Sequence, residues 1–365
     1  MYCNLFAEYG YDEREIEKRL QKIWQDIFGN GETGVYHEVG GDMGFVTDTG
    51  NNDVRTEGQS YAMMMAVQFD KKEVFDRVWK WTKTYMYLES GIHAGYFAWS
   101  AGLDGTKNAD GPAPDGEEFF AAALFFAADR WGNGEGIFNY ERQAREILHC
   151  CLHNPQPMWN KDNKLVKFVP GCDFSDPSYH VPFFYNCFAK QADEEDREFW
   201  KEAAAASRAY LKIACHPVTG LSAEYAHYDG SPELTRGHSN FYSDAYRTAL
   251  NIGLDSQWHG YDAELTSCVD RQQKFFCETV KDEWDYIYKV DGTKIDEKVL
   301  HPVGLIATNA AASLAATDGP NARRCVELFW NTPIRTGVRR YYDNFLYAFA
   351  FMALSGNYRK YESNG

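Results

Sequence analysis

The sequence predicts an all-α fold, an (α/α)6 barrel of six inner and six outer helices, with residues 1–365 forming one domain. Three observations carry this. Six segments are amphipathic with helical period, and six others are apolar on nearly every face. The two kinds alternate strictly along the chain, the sequence mark of a repeat architecture that closes on itself. The connections are also unequal: those from apolar to amphipathic segments are short, and those in the other direction are long.

In chain order, residues 12–28 place Ile16, Leu20, Ile23, Trp24, Ile27 and Phe28 on one stripe with charged residues opposite, an outer helix with one buried face. Residues 57–69 (EGQSYAMMMAVQF) carry no such polarity, so that helix is enclosed on all sides. The alternation continues with outer segments at 72–89, 139–153, 195–213, 262–280 and 320–331. Inner segments lie at 116–130, 177–190, 241–252, 303–316 and 341–355. The acids of DEEDRE at 193–198 fall at a helix start, where the helix dipole favours them. The first five inner segments recur about every sixty residues, and the sixth follows early. A short hairpin near 284–297, turning at Asp291-Gly292, is the expected exception to helix. Gly40-Gly41-Asp42-Met43-Gly44 reads as a backbone bend in the long first connection, and the Gly-rich stretch 131–136 as a turn.

Composition narrows the function. Hydrophobic residues at 44% and charged residues at 25% describe a folded chain. The net charge of −16, with no basic cluster beyond Arg323-Arg324 and Arg339-Arg340, argues against nucleic acid and anionic lipid as partners. No apolar run reaches the ~18 residues of a membrane span. The opening MYCNLFAEYGYDERE lacks a secretion pattern, and nine scattered cysteines without CxxC spacing read as reduced thiols; a cytoplasmic protein is the expectation. Trp, Tyr and Phe make up 16% of the chain, more than a core requires and suited to a sugar-binding cleft.

The long connections all lie at one end of such a ring, together with the inner helices' N-termini. The inner segments open there with Arg55-Thr56-Glu57-Gly58, Pro114-Asp115-Gly116-Glu117-Glu118, Asp176-Pro177-Ser178-Tyr179, Tyr242-Ser243-Asp244-Ala245-Tyr246-Arg247, His301-Pro302 and Arg339-Arg340-Tyr341-Tyr342-Asp343. Carboxylates from distant repeats therefore converge on one mouth. Asp115 and Asp176 also suit an N-cap role. Glu57 is a poor cap, and Asp244 interrupts an apolar aromatic stretch where an unpaired charge is costly. An acid near Tyr61 and the Met63–Met65 run is expected to have a raised pKa, as a general acid needs. Two facing carboxylates in an aromatic cleft suggest glycoside hydrolysis. Arg247, one turn beyond Asp244, is placed to orient it or to pair elsewhere in the core.

The segments 48–58, 111–118 and 242–247 resemble the active-site stretches of glycoside hydrolase family 8. The likeness runs nearly end to end, through 93–99 (HAGYFAW) and 300–309 (LHPVGLIATN), and is strongest to a branch of exo-acting oligoxylanases. The resemblance implies an (α/α)6 barrel that works without cofactor or metal. It implies inverting hydrolysis, with Glu57 as general acid, Asp244 as general base and Asp115 holding and distorting the sugar before the scissile bond. It further implies that His301 binds the reducing-end hydroxyl and limits the leaving side to one xylose, that Tyr179 meets the distorted sugar or the water, and that Trp99 stacks on a sugar face. Arg247, Tyr341 and Tyr342 join them as binding residues. The expected reaction is release of xylose from the reducing end of β-1,4-xylo-oligosaccharides. Pro114 and Glu117 replace the Ser/Thr and second Asp of the wider family, a change shared by that branch which speaks against endoglucanase action. The alternatives are an endo-acting xylanase of the same family, a sugar epimerase or isomerase using His93, His180, His238 or His301, and a non-catalytic sugar binder.

His149-Cys150-Cys151-x-His153 has ligand-type residues with both histidines on one helix face. No second cluster in the sequence completes a tetrahedral site, so no metal is expected.

Overall fold

Six helices stand side by side in a closed ring. The computed structural model describes residues 2–317 and 319–361. After a short helix α1 (Leu5–Glu8), the chain alternates α2 (Glu13–Phe28), α3 (Thr56–Gln68), α4 (Lys72–Tyr85), α5 (Pro114–Trp131), α6 (Tyr140–His153), α7 (Pro182–Gln191), α8 (Arg197–Ala214), α9 (Tyr246–His259), α10 (Ala263–Lys274), α11 (Pro302–Ala312), α12 (Gly319–Asn331) and α13 (Arg340–Leu354). Helices α3, α5, α7, α9, α11 and α13 each touch the next, and α13 returns to α3. Each carries an outer partner: α4 on α3, α6 on α5, α8 on α7, α10 on α9 and α12 on α11. The first outer helix, α2, packs on the last inner one, α13, so both ends of the chain close the barrel. All twelve long helices lie where the alternating pattern predicts them.

The inner helices are buried because they offer no polar face. Every described residue of α13 from Tyr341 to Leu354 is buried, as are Tyr61 to Val67 of α3. The outer helices bury one stripe each, such as Ile16, Leu20, Ile23 and Ile27 of α2. Burial at about 25 cal/mol per Å² of apolar surface makes this double layer the main source of stability.

Three inner and outer segments depart from unbroken helix. The 177–190 segment splits into a 3-10 turn, Pro177–Tyr179, and α7, because Pro182 disfavours helical geometry at Val181 and donates no N–H. The 241–252 segment opens as strand and 3-10 turn before α9, with Ser243 at φ +34°. The 262–280 helix ends in a π turn, Phe275–Val280, which seats Phe275, Phe276 and Cys277 in a satellite core with Trp284 and Tyr288.

The long connections hold short strands. β1 (Tyr36–Val39) and β2 (Met43–Val46) form a hairpin whose bend is Gly40-Gly41, both at positive φ. β3 (Val54–Arg55) pairs antiparallel with β4 (Ser100–Ala101). β5 (Asn240–Phe241), β6 (Tyr286–Lys289) and β7 (Lys294–Lys298) make a three-stranded sheet, the last two joined through the expected Asp291-Gly292 turn with Gly292 at φ +91°. Among the described residues no helix is long and apolar enough to cross a membrane.

Candidate active site

The inner-helix starts meet around one guanidinium. Arg247, in the first turn of α9, is buried at 5% exposure. Its Nη1 donates to Glu57 Oε2 (3.2 Å), Asp115 Oδ2 (3.1 Å) and the Tyr61 hydroxyl (2.9 Å). Its Nη2 lies 3.2 Å from Asp244 Oδ1. Acids from three repeats thus share one cation, and Arg247 orients Asp244 while gathering the other two.

Two glycines allow this convergence. A Cβ on Gly58 would come within 2.6 Å of the Tyr341 ring, and one on Gly116 within 2.5 Å of the Thr56 side chain. Without side chains there, the starts of α3 and α5 approach closely and the Tyr341 hydroxyl reaches Glu57 Oε1 at 2.8 Å. Asp115 is not the N-cap residue, which is Ala113: it sits inside the first turn of α5, its Oδ1 accepting from the Gly116 N–H (3.0 Å) and its Oδ2 turned to Arg247. Asp176 does cap, its Oδ1 accepting from the Ser178 N–H at 2.7 Å.

Electrostatics separates the acids. Burial pushes the Glu57 carboxyl up to about 8; Arg247 opposes the rise, and Asp115 and Asp244 add to it. Burial also raises Asp115, again against Arg247. Asp244 stands on the 3-10 turn Ser243–Ala245 with its side chain 33% exposed, open to water. Glu117 and Glu118 point away from the mouth. Glu117 Oε1 accepts from the Phe97 N–H (3.0 Å), and Glu118 Oε1 from the Tyr185 hydroxyl (2.6 Å), so both act as buried braces.

The cleft has two lobes. A cavity of about 400 Å³ is lined by Trp99, Phe168, Tyr179 and Tyr225, with Asp115 and Arg247 at its floor. A cavity of about 160 Å³ is lined by Asp48, Asn51, His301, Arg339, Tyr341 and Tyr342. Arg55, Glu57 and Asp244 border both. In the large lobe the β3–β4 pairing sets Trp99 beside Arg55, whose Cζ lies 5.3 Å from the ring centroid. Tyr179 and Phe168 stack with a 16° interplanar angle at 6.0 Å. In the small lobe the Tyr342 hydroxyl donates to the Ser243 carbonyl (3.2 Å), and its ring meets His301 edge-on at 4.9 Å. Asp343, fully buried, holds this end: its Oδ1 accepts from the Gly304 N–H (2.6 Å), its Oδ2 lies 3.5 Å from His301 Nδ1, and Arg335 pairs with it.

Every site residue expected from sequence therefore borders one cleft or the other lobe of it: Glu57, Asp115, Asp244, Arg247, Trp99, Tyr179, His301, Tyr341 and Tyr342. Sequence reasoning missed Phe168 and Tyr225, which come from irregular connections without period, and Asp48, Asn51 and Arg339, which lay inside quoted segments but were given no role. Of the four histidines offered to an isomerase, His180 is buried between Ser175 and Ser207, and His93 binds the Asp110 carbonyl and Gln156. His238 pairs with Glu224, leaving His301 as the cleft histidine among the described residues. Elsewhere the structure alters one reading: Glu195 and Asp196 stand next to His149 and His153 and complete a four-group cluster that spacing along the chain did not reveal.

The profile of glycosyl hydrolases family 8 matches residues 39–354. A curated relative from Halalkalibacterium halodurans, named reducing end xylose-releasing exo-oligoxylanase, is 60% identical over 98% of this chain and 94% of its own. A crystal structure of an enzyme of that name superposes with a TM-score of 0.97 at 59% identity, covering 100% of this chain and 97% of the other. A variant of such an enzyme, solved with xylobiose, gives the same TM-score of 0.97 at 58% identity, over 99% and 98% of the two chains.

Proposed function

We infer the reaction from one premise: the chain belongs to glycosyl hydrolases family 8. The protein is an inverting, exo-acting glycoside hydrolase that releases xylose from the reducing end of β-1,4-xylo-oligosaccharides. The observation that carries the residue roles is the sharing of Arg247 by three acids at the junction of a large and a small lobe.

Glu57, kept protonated by burial, donates its proton to the glycosidic oxygen as the bond to the anomeric carbon breaks. Asp244, open to solvent, takes a proton from the water that attacks the opposite face. Both are held by one guanidinium at 3.2 Å each, and the reaction needs the about 6.5–9.5 Å gap between them that admits a water. Asp115 binds the sugar on the large-lobe side of the bond and favours its distorted ring, with Tyr179 beside it meeting that ring or the water. Trp99 stacks on a sugar face further out. Arg247 keeps the acids in place, and Tyr341 steadies Glu57.

The small lobe takes the leaving sugar. Its 160 Å³ and its closure by His301 and Tyr342 suit one pentose, with His301 bonding the reducing-end hydroxyl. Residues 1–365 act as one catalytic domain without metal or cofactor in the reaction. The chain works in the cytoplasm on short imported substrates; in support, its nine cysteines are scattered along the sequence without CxxC spacing.

Proton NMR of early products from xylotriose tests the stereochemistry. Inversion of a β-linkage gives a new reducing end that appears first as the α-anomer; a β-anomer appearing first overturns the roles given to Glu57 and Asp244.

A further inference from the structure

Away from the cleft, α6 meets the turn that opens α8. His149 and His153 lie one helical turn apart on α6, their rings stacked at 4.3 Å. The 3-10 turn Glu194–Asp196 brings Glu195 and Asp196 to them. One nitrogen or oxygen from each of the four groups falls within 4.8 Å of all the others.

Asp196 points to a ligand. It closes the 3-10 turn Glu194–Asp196, which runs directly into α8, and its side chain makes no bond to a backbone N–H. It is turned instead toward the histidines and is 4% exposed. Its Oδ1 lies 2.7 Å from His153 Nε2. Its Oδ2 has no hydrogen-bond partner among the described residues and faces His149 Nδ1 at 3.8 Å. A buried carboxylate oxygen left so is costly unless a water or a cation fills the gap, and the two imidazoles beside it favour a cation. One dication between the stacked rings would serve both rings and the carboxylates at once.

We propose that His149, His153, Glu195 and Asp196 form a site for one divalent transition-metal ion, Zn2+ by preference, which ties helix α6 to the start of α8. The donor set, two imidazoles and two carboxylates, suits Zn2+ and excludes Mg2+ and Ca2+, which take oxygen ligands. Tetrahedral Zn2+ at about 2.0–2.2 Å from each donor sets ligand atoms about 3.4 Å apart. The four donor atoms lie within 4.8 Å of one another, and the exposed His149, His153 and Glu195 side chains have room to adjust toward that spacing, His153 by giving up its direct bond to Asp196 Oδ1. Cys150 and Cys151 take no part: Cys150 Sγ donates to the Ala94 carbonyl and Cys151 Sγ to Met158 Sδ. The site is structural and stands independently of the hydrolytic reading.

The test is titration of the chelator-treated full chain with ZnCl2 by calorimetry, alongside Co2+ spectroscopy and thermal unfolding. One Zn2+ per chain is expected, with visible Co2+ bands of a tetrahedral centre and no thiolate charge-transfer band. At a hundredfold excess over Kd, Tm is expected to rise by roughly 2–4 °C. His149→Gln with His153→Gln, both at exposed positions, is expected to weaken binding by about 100-fold or more and to abolish the Tm rise, with xylo-oligosaccharide hydrolysis unchanged. Asp196→Asn is expected to do the same for binding. Failure of the wild-type chain to bind Zn2+, a thiolate band with Co2+, or equal binding by the double variant would each overturn the proposal.

Discussion

The two lobes of the cleft share Glu57 and Asp244 but are built from different materials. The 400 Å³ lobe offers ring faces, those of Trp99, Phe168, Tyr179 and Tyr225, on connections that run over the barrel rim. Such surfaces accept successive sugars without fixing their number. The 160 Å³ lobe offers hydrogen-bonding groups, and its wall is pinned from behind: His301 stands on Asp343, which holds the Gly304 N–H and pairs with Arg335. The contrast teaches where exo action comes from. Under the roles proposed for these residues, the open lobe supplies affinity, and the closed lobe counts sugars past the scissile bond.

Removing the shared junction erases the comparison. Glu57→Gln is expected to lower kcat on xylotriose by about 10²–10⁴ while leaving KM near its wild-type value. The wild-type pH profile sharpens the same point. As the proposed general acid, Glu57 acts when protonated, and burial pushes its carboxyl up to about 8, so kcat/KM is expected to fall tenfold per pH unit above that value. The neutral form is also the one the fold prefers. Stability from this group is complete below the ordinary carboxyl range and is lost as pH rises through about 8.

Opening the small lobe breaks the asymmetry. His301→Ala is expected to cut the rate of xylose release by about 10- to 100-fold, by removing a hydrogen bond to the leaving sugar, and to let xylobiose appear among the leaving products. Chromatography of products from xylotetraose reads both. Asp343→Ala, which leaves the buried Gly304 N–H unpaired and removes the partner of the partly exposed Arg335, is expected to lower stability by about 1–3 kcal/mol and to reproduce the product shift weakly. Trp99→Ala touches the open lobe and is expected to raise KM by about 3- to 10-fold with kcat unchanged.

The barrel was legible because its two helix types differ in burial, which periodicity records: α3 and α13 read as buried all round, α2 as striped. Helix ends were less so. Pro182 divides α7 from the turn before it, and Ser243 at φ +34° delays α9, both local backbone effects set against a continuous apolar pattern. The β1–β2 hairpin was reduced to a bend because its strands are short and half-exposed. Glu57 and Asp244 stood out as acids in apolar surroundings, and the family likeness placed Asp115 beside them. The hub role of Arg247 did not stand out: one cation bonding acids from α3 and α5 is a fact of three dimensions. Phe168 and Tyr225 sit in irregular connections, where no period marks them.

The most direct test follows the reducing-end sugar itself. Xylotetraose carrying 13C at its reducing-end anomeric carbon is digested by the wild-type chain, and the label is located among early products. The one-sugar small lobe predicts that all label appears in free xylose and none in xylobiose or xylotriose. Label in xylobiose at early times would mean that two sugars fit beyond Glu57, and that the small lobe does not set where the chain is cut.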